Sequence, residues 1–212
     1  MIDLRNCDCM EYLATCKDNA FELAIVDPPY GIDITNQSQG RGGGVAKKIE
    51  YAPKNWDKTA PPEQYFVELQ RVSKNQIIWG ANHFYAQNSS CWIVWDKENG
   101  ASDFADAELA YTTFNTAVRM FRFKWAGMLQ GDMKNKEKRI HPTQKPVKLY
   151  EWLLMNYAKE GDRILDTHLG SGSIALACHN LGFDLVGCEL DEDYYDAACK
   201  RLKQHQAQQR MF

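Results

Sequence analysis

Asp27-Pro28-Pro29-Tyr30 puts a carboxylate, a rigid turn and an aromatic ring on four consecutive residues. The preceding run, Phe21-Glu22-Leu23-Ala24-Ile25-Val26, ends in the apolar, β-branched pattern of a buried strand. The acid therefore stands at a strand end, where the chain turns sharply. Neither proline has an N–H, and each fixes φ at about −65°, so the turn is stiff and the carbonyls of Asp27 and Pro28 are held in place. A carboxylate and a fixed carbonyl can accept the two hydrogens of an amino group. An aromatic face can stack on the ring that carries it. These four residues thus suit a planar ring bearing an exocyclic amine.

A second constellation lies near the other end of the chain. Gly161-Asp162-Arg163-Ile164-Leu165-Asp166 leads through Thr167-His168-Leu169 into Gly170-Ser171-Gly172-Ser173. An apolar helical stretch, Ile174 to Leu181, follows, and then Phe183-Asp184-Leu185-Val186-Gly187-Cys188-Glu189. This order reads as strand, glycine turn, helix, strand, with an acid closing the second strand. Glycines there let a ligand approach the backbone. Glu189 lies 23 residues beyond Asp166, where an acid can accept both hydroxyl hydrogens of a ribose. The unit reads as a site for an adenosine-containing ligand. Gly170-x-Gly172-x-x-Ala175 also fits a dinucleotide fingerprint, which alone is a weak signal. Asp166 at the head of the turn opposes a pyrophosphate and suits an ammonium and a sulfonium, which favours S-adenosylmethionine over NAD. His141-Pro142-Thr143-Gln144-Lys145-Pro146 comes just before, and Pro146 suits a helix start. The free N–H groups of that helix and Lys145 favour a carboxylate.

These groups need a scaffold. Strand patterns fall near 1–5, 22–26, 76–79, 91–95, 107–113, 162–166 and 184–188. Helical spacing covers 9–17, 63–73, 147–158, 173–181 and 192–206. Strands alternating with helices predict an α/β fold: a mostly parallel, seven-stranded sheet with helices on both faces. One domain over 1–212 is the expectation, since the chain shows no linker or repeat. Residues 31–60 include the polar, glycine-rich Thr35 to Gly44 and read as a long mobile loop after the turn. Trp92, Trp95, Tyr111, Phe121 and Trp125 are expected in the core. His83, His179 and His205 are expected to be structural or solvated.

Composition excludes several classes. No apolar run approaches the roughly 20 residues of a membrane helix. Seven cysteines, an odd number, argue for reduced thiols and a cytoplasmic setting. Cys7-x-Cys9 lacks a second Cys or His pair at zinc spacing, so no metal is expected. The net charge is −3, but it is unevenly distributed. Arg119 to Lys148 holds nine Lys/Arg against two acids, and Gly40 to Ala60 holds five against two. Two basic segments on an acidic body can track a phosphate backbone. Arg41, Lys47, Lys48, Lys134, Lys136, Lys138 and Arg139 are the candidate contacts.

Taken in order, these motifs resemble the DNA adenine-N6 methyltransferases of permuted, beta-type motif order, most of all small stand-alone enzymes of phages and prophages. Trp79-Gly80-Ala81-Asn82-His83-Phe84, Cys91 to Lys97 and Asp106 to Ala110 extend the likeness over essentially the whole chain. The resemblance implies a Rossmann-like S-adenosylmethionine-dependent fold and double-stranded DNA as partner, with a homodimer as a further implication. It implies that Asp27 and the Pro28 carbonyl take the adenine amino group, with Pro29 in the same catalytic turn and Tyr30 stacking on the base. Asp166, Gly170, Ser171, Gly172 and Ser173 would wrap the methionine part of the donor, with His168 in the same loop. Glu189 would bind the ribose, and Thr143, Gln144 and Lys145 would meet the donor's carboxylate. Asp8 and Cys9 match two positions of an element at the donor's adenine. The family commonly has Pro-Phe where this chain has Thr167-His168. Base reading is expected from 31–60 and 97–140. The rivals are a cytosine-N4 methyltransferase, which usually has Ser at position 27, a protein or RNA methyltransferase, which usually has Asn there, and a catalytically silent DNA-binding module.

Overall fold

The computed structural model describes residues 1–33, 54–84, 87–100, 105–126 and 129–209. The segment 34–53, with Arg41, Lys47 and Lys48, lies outside them. Chain order runs β1 (Ile2–Asn6), α1 (Cys9–Thr15), β2 (Phe21–Val26), α2 (Glu63–Val72), β3 (Ser73–Trp79), a 3₁₀ turn (Ala81–His83), β4 (Trp92–Asp96) and β5 (Ala107–Thr112). Then follow β6 (Arg119–Arg122), β7 (Trp125–Ala126), β8 (Leu129–Gln130), α3 (Val147–Tyr157), β9 (Arg163–Asp166), α4 (Ser173–Leu181), β10 (Asp184–Glu189) and α5 (Glu192–Gln209).

The main sheet has eight strands in the order β1-β10-β9-β2-β3-β5-β4-β6. Strands β1, β10, β9, β2 and β3 pair in parallel, while β5 runs antiparallel to both β3 and β4. Period-two alternation sorts their side chains between two cores. Leu23, Ile25, Ile77, Ile164 and Leu185 face Leu149 and Leu153 of α3, Ile174 of α4 and Ala198 of α5. Ala24, Val26, Ile78, Leu165 and Val186 face Leu13 of α1 and Tyr65, Leu69 and Val72 of α2. The inner strands β2, β9 and β10 are thus apolar on both faces, which is why their sequences read as near-continuous apolar runs.

The strand order positions the chemistry. β2 leads through α2 to β3 on one side, and β9 leads through α4 to β10 on the other. The two chain paths diverge between β2 and β9, which lie side by side with Leu23 opposite Ile164. Such a switch point leaves a crevice at the carboxyl ends of the strands. Asp27 follows β2 directly, and Asp166 and Glu189 close β9 and β10. All seven expected strands and all five helices are present. The eighth strand, Arg-Met-Phe-Arg, pairs with β4, and its short alternation of charged and apolar residues gave no strand signal. β5 and β6 fall within 97–140. No helix among the described residues is long and apolar enough to cross a membrane.

Candidate active site

Asp27 is held at both oxygens. The Tyr30 hydroxyl donates to Oδ1 at 2.7 Å, and the Lys145 ammonium donates to Oδ2 at 2.5 Å. Lys145 Nζ also lies 3.3 Å from the Tyr30 oxygen and 3.0 Å from Oε2 of Glu108, whose other oxygen pairs with Lys97. The Lys145 side chain is 3% exposed, whereas those of Asp27 and Glu108 keep 16% and 22% of their surface. Burial pushes Asp27 upward, and the Lys145 charge opposes this without cancelling it, so the carboxyl stays above its ordinary value. Burial pushes Glu108 upward as well, but Lys145 and Lys97 overcome it and bring that carboxyl down to about 2. For Lys145, burial disfavours the charge, and Asp27 and Glu108 more than restore it. Burial, then the Asp27 charge, holds the Tyr30 phenol well above its ordinary value.

The turn is braced from outside. Asp57, 2% exposed, accepts the backbone N–H groups of Tyr30 at 2.7 Å and Gly31 at 3.1 Å on one carboxylate oxygen. The Tyr30 ring stacks on His83 with centroids 4.8 Å apart and planes 13° apart, and meets Phe84 edge-on. Gly80, at φ +69°, lies against that ring.

Next to this network lies a cavity of about 380 Å³. Its wall includes Asp27 and Pro29 from the first constellation and Thr167, His168, Leu169, Gly170, Ser171 and Glu189 from the second. Asp8, Cys9, Thr143, Gln144 and Lys145 line it too, with Trp56, Tyr65, His141, Tyr150 and Tyr194. Glu189 spans the glycine turn, accepting Gly170 N–H at 2.7 Å on Oε2 and Asp191 N–H at 2.9 Å on Oε1. Asp166 is 1% exposed and accepts His168 N–H at 3.0 Å. Burial raises it to about 8. Burial lowers His168 to about 4, so its ring is neutral at pH 7. Trp56 approaches the His141 ring at 5.1 Å, and His141 meets Tyr194 at 4.3 Å.

Several of the expected site residues have partners within the protein itself. The Tyr30 ring already has His83 on it and Gly80 against it, and its hydroxyl is spent on Asp27, so it is a built-in part of the turn. Lys145 pairs with Asp27 and Glu108. The Gln144 amide oxygen accepts Ile140 N–H, which ties it to its own loop. Gly172 and Ser173 face α5: a Cβ at Gly172 would stand 3.0 Å from Ala198 Cβ, and Ser173 Oγ accepts from Arg201 at 2.9 Å. Asp8 also caps α1 by accepting Met10 N–H at 2.7 Å. Pro28 is buried behind the turn. Lys134, Lys136 and Lys138 are exposed, whereas Arg139 lies over the Trp125 ring at 4.6 Å. Trp95, Tyr111 and Trp125 are buried, and Trp92 and Phe121 pack against the cores, as expected. His83 is structural in a specific sense, as the partner of Tyr30.

Three neighbours of the site carry no signal in the sequence, Trp56, Asp57 and Tyr65, and Glu108 is marked there only by the Asp106–Ala110 likeness. Trp56 and Asp57 fall in 31–60, where low periodicity reads as loop, yet the Lys54–Ala60 piece forms cavity wall. Lys54 ties that piece to Asp191 at 2.8 Å and Asp193 at 2.6 Å. The hydroxyls of Tyr65 and Thr167 hydrogen-bond at 2.6 Å across two elements, an approach no local pattern announces.

A switch-point crevice that brings Asp27 and the Gly170 turn into one cavity is the frame of a Rossmann-like fold. A family model described as a DNA methylase matches residues 119–200. The type II methyltransferase M.HpaI of Haemophilus parainfluenzae is 38% identical over 231 residues, covering 90% of this chain and 70% of that protein. M2.DpnII of Streptococcus pneumoniae is 24% identical, covering 92% of this chain and 87% of that protein. In fold, the chain is similar to the M1.HpyAVI–SAM complex, with TM-score 0.59 and 21% identity over 95% of this chain and 100% of that one. It is also similar to the cytosine-N4-specific PvuII DNA methyltransferase, with TM-score 0.60 and 10% identity over 97% and 90%. The chain belongs to the DNA methylase family of type II methyltransferases. It is an S-adenosylmethionine-dependent, site-specific DNA methyltransferase.

Proposed function

We propose that this enzyme methylates the N6 amino group of adenine in double-stranded DNA. The observation that carries this reading is the shared cavity of Asp27 and the Gly170 turn. Two carboxylates and several aromatic rings line or underlie the donor half, and this set fits an adenosyl group with an ammonium tail. On this reading Glu189, His168, Tyr65 and Thr167 of the cavity wall meet the adenosyl part, with Glu189 on the ribose hydroxyls, and Asp166, buried just behind that wall, faces the ammonium. When bound, S-adenosylmethionine supplies an electrophilic methyl group.

The chain's own residues do the rest. The adenine amine is a weak nucleophile because its lone pair is delocalised into the ring. Asp27 and the Pro28 carbonyl accept its two hydrogens and localise that pair. Those hydrogen bonds strengthen as positive charge develops, so they favour the transition state. Asp27 has a lone pair left on each oxygen despite Tyr30 and Lys145. Holding amine and donor in one crevice supplies orientation. The proton lost from nitrogen leaves after methyl transfer, when the amine has become acidic. In a duplex this geometry requires the base to leave the stack. The exposed Lys134, Lys136 and Lys138 are proposed backbone contacts, and Arg41, Lys47 and Lys48 are proposed as further ones. The single domain, with 97–140 contributing to target reading, and a homodimer belong to the same reading.

The test is Asp27→Ala. Donor affinity should stay within a few-fold while methyl transfer to unmodified DNA falls by at least about 10³. An active Asp27→Ala enzyme refutes the assignment. Nucleoside analysis of the product decides the base: N6-methyladenine supports this reading, and N4-methylcytosine replaces it with the alternative.

A further inference from the structure

We propose that Lys145 is a positioning residue for methyl transfer, fixing the Asp27 carboxylate as an unprotonated acceptor rather than binding the donor. This rests on the reading of Asp27 as the acceptor of the amine. An ammonium has three N–H groups. Here its three near oxygens are Asp27 Oδ2 at 2.5 Å, Glu108 Oε2 at 3.0 Å and the Tyr30 hydroxyl at 3.3 Å. The side chain is 3% exposed, hydrogen-bonds to Asp27 and the Tyr30 oxygen, and meets Glu108 as an ion pair. Glu108 has a second cation, Lys97, on its far oxygen, so its charge is matched without Lys145. That leaves the Lys145 charge for Asp27.

The need for it follows from what surrounds Asp27. Tyr30 donates to it from the same turn, and Glu108 of β5, Asp166 of β9, Tyr65 of α2 and Tyr150 of α3 lie close enough to couple to it electrostatically. Lys145 is the cation among these groups. A buried carboxyl beside two other acids takes up a proton unless an opposite charge stands within a few ångströms. A protonated Asp27 offers a poorer acceptor to the amine. Tyr30 on one oxygen and Lys145 on the other also fix the plane of the carboxylate. Glu108 acts in the opposite sense, raising Asp27 and sharing the ammonium.

The experiment is the pH profile of single-turnover methyl transfer to unmethylated plasmid DNA, with donor affinity measured by calorimetry. Lys145→Met should move the acid limb up by about one pH unit or more. Donor affinity should stay within about threefold. Glu108→Gln should move the limb down. A limb that stays in place in either variant overturns the proposal. So does a Lys145→Met enzyme that loses donor affinity with its limb unmoved, since Lys145 is then a donor ligand. If Lys145→Met does not fold, the direction of the Glu108→Gln shift decides. Asp27→Ala separates the two levels. An active Asp27→Ala enzyme removes the acceptor reading itself. An inactive one, with the Lys145→Met limb unmoved, removes only the role of Lys145.

Discussion

Gly80→Ala tests whether the placement of Tyr30 matters to catalysis. Gly80 has φ +69°, and a Cβ there would stand 2.6 Å from Tyr30 Cδ1 and closer still to Cε1 and Cζ. Two costs follow. A left-handed backbone at a non-glycine residue costs about 1–2 kcal/mol. The collision must also be relieved by moving the ring about 1 Å or more to reach ordinary van der Waals separation. That motion breaks the hydroxyl bond to Asp27 Oδ1, now 2.7 Å, and the stack on His83. A displacement of that size near reacting groups costs on the order of 10²-fold in rate. Gly182→Ala is the matched control: φ is +77° and its Cβ meets nothing within 4 Å. Both variants should lose a few degrees of melting temperature, about 1 kcal/mol corresponding to roughly 2–4 °C at this size. Single-turnover transfer should fall about 100-fold in Gly80→Ala and stay near wild type in Gly182→Ala. Donor affinity should be unchanged in both. Wild-type transfer by Gly80→Ala would refute the idea that Tyr30 must stay on Asp27.

Other outcomes follow from the same geometry. Asp57→Ala strips the turn of a buried acceptor for two N–H groups and should cost about 2–4 kcal/mol in chemical denaturation. Asp57→Asn keeps the oxygen and should recover much of that, whereas equal losses would exclude the brace. Burial raises Asp166 to about 8 in the folded protein, so the folded state holds its proton more tightly than the unfolded chain. Its contribution to stability is therefore complete below about pH 4 and fades as pH rises toward 8. Asp166→Asn should match wild type near pH 4 and exceed it increasingly up to pH 8 in thermal melts, so parallel curves would contradict that burial. Replacing Lys134, Lys136 and Lys138 by Ser should lower DNA affinity and flatten its salt dependence by about one log–log unit for each phosphate no longer neutralised. An unchanged slope would remove this loop from the DNA interface.

The sequence by itself determined the frame. Continuous apolar runs at β2, β3, β9 and β10 mark strands buried on both faces, because helices from both layers cover them. Pro62 and Pro146 mark the starts of α2 and α3, because a residue without an N–H costs nothing there. Asp27, Glu189 and the Gly170 turn were legible because each closes or follows such a strand, and parallel pairing brings carboxyl ends to one edge. The tertiary structure decided which charges meet. Lys145 lies 118 residues from Asp27 and is assigned to it by packing, as Asp57 is assigned to the Tyr30 and Gly31 amides. No spacing encodes these pairings, because they join elements whose separation along the chain carries no period. A buried ammonium goes to the nearest uncompensated carboxylate, and only the folded chain establishes which one that is.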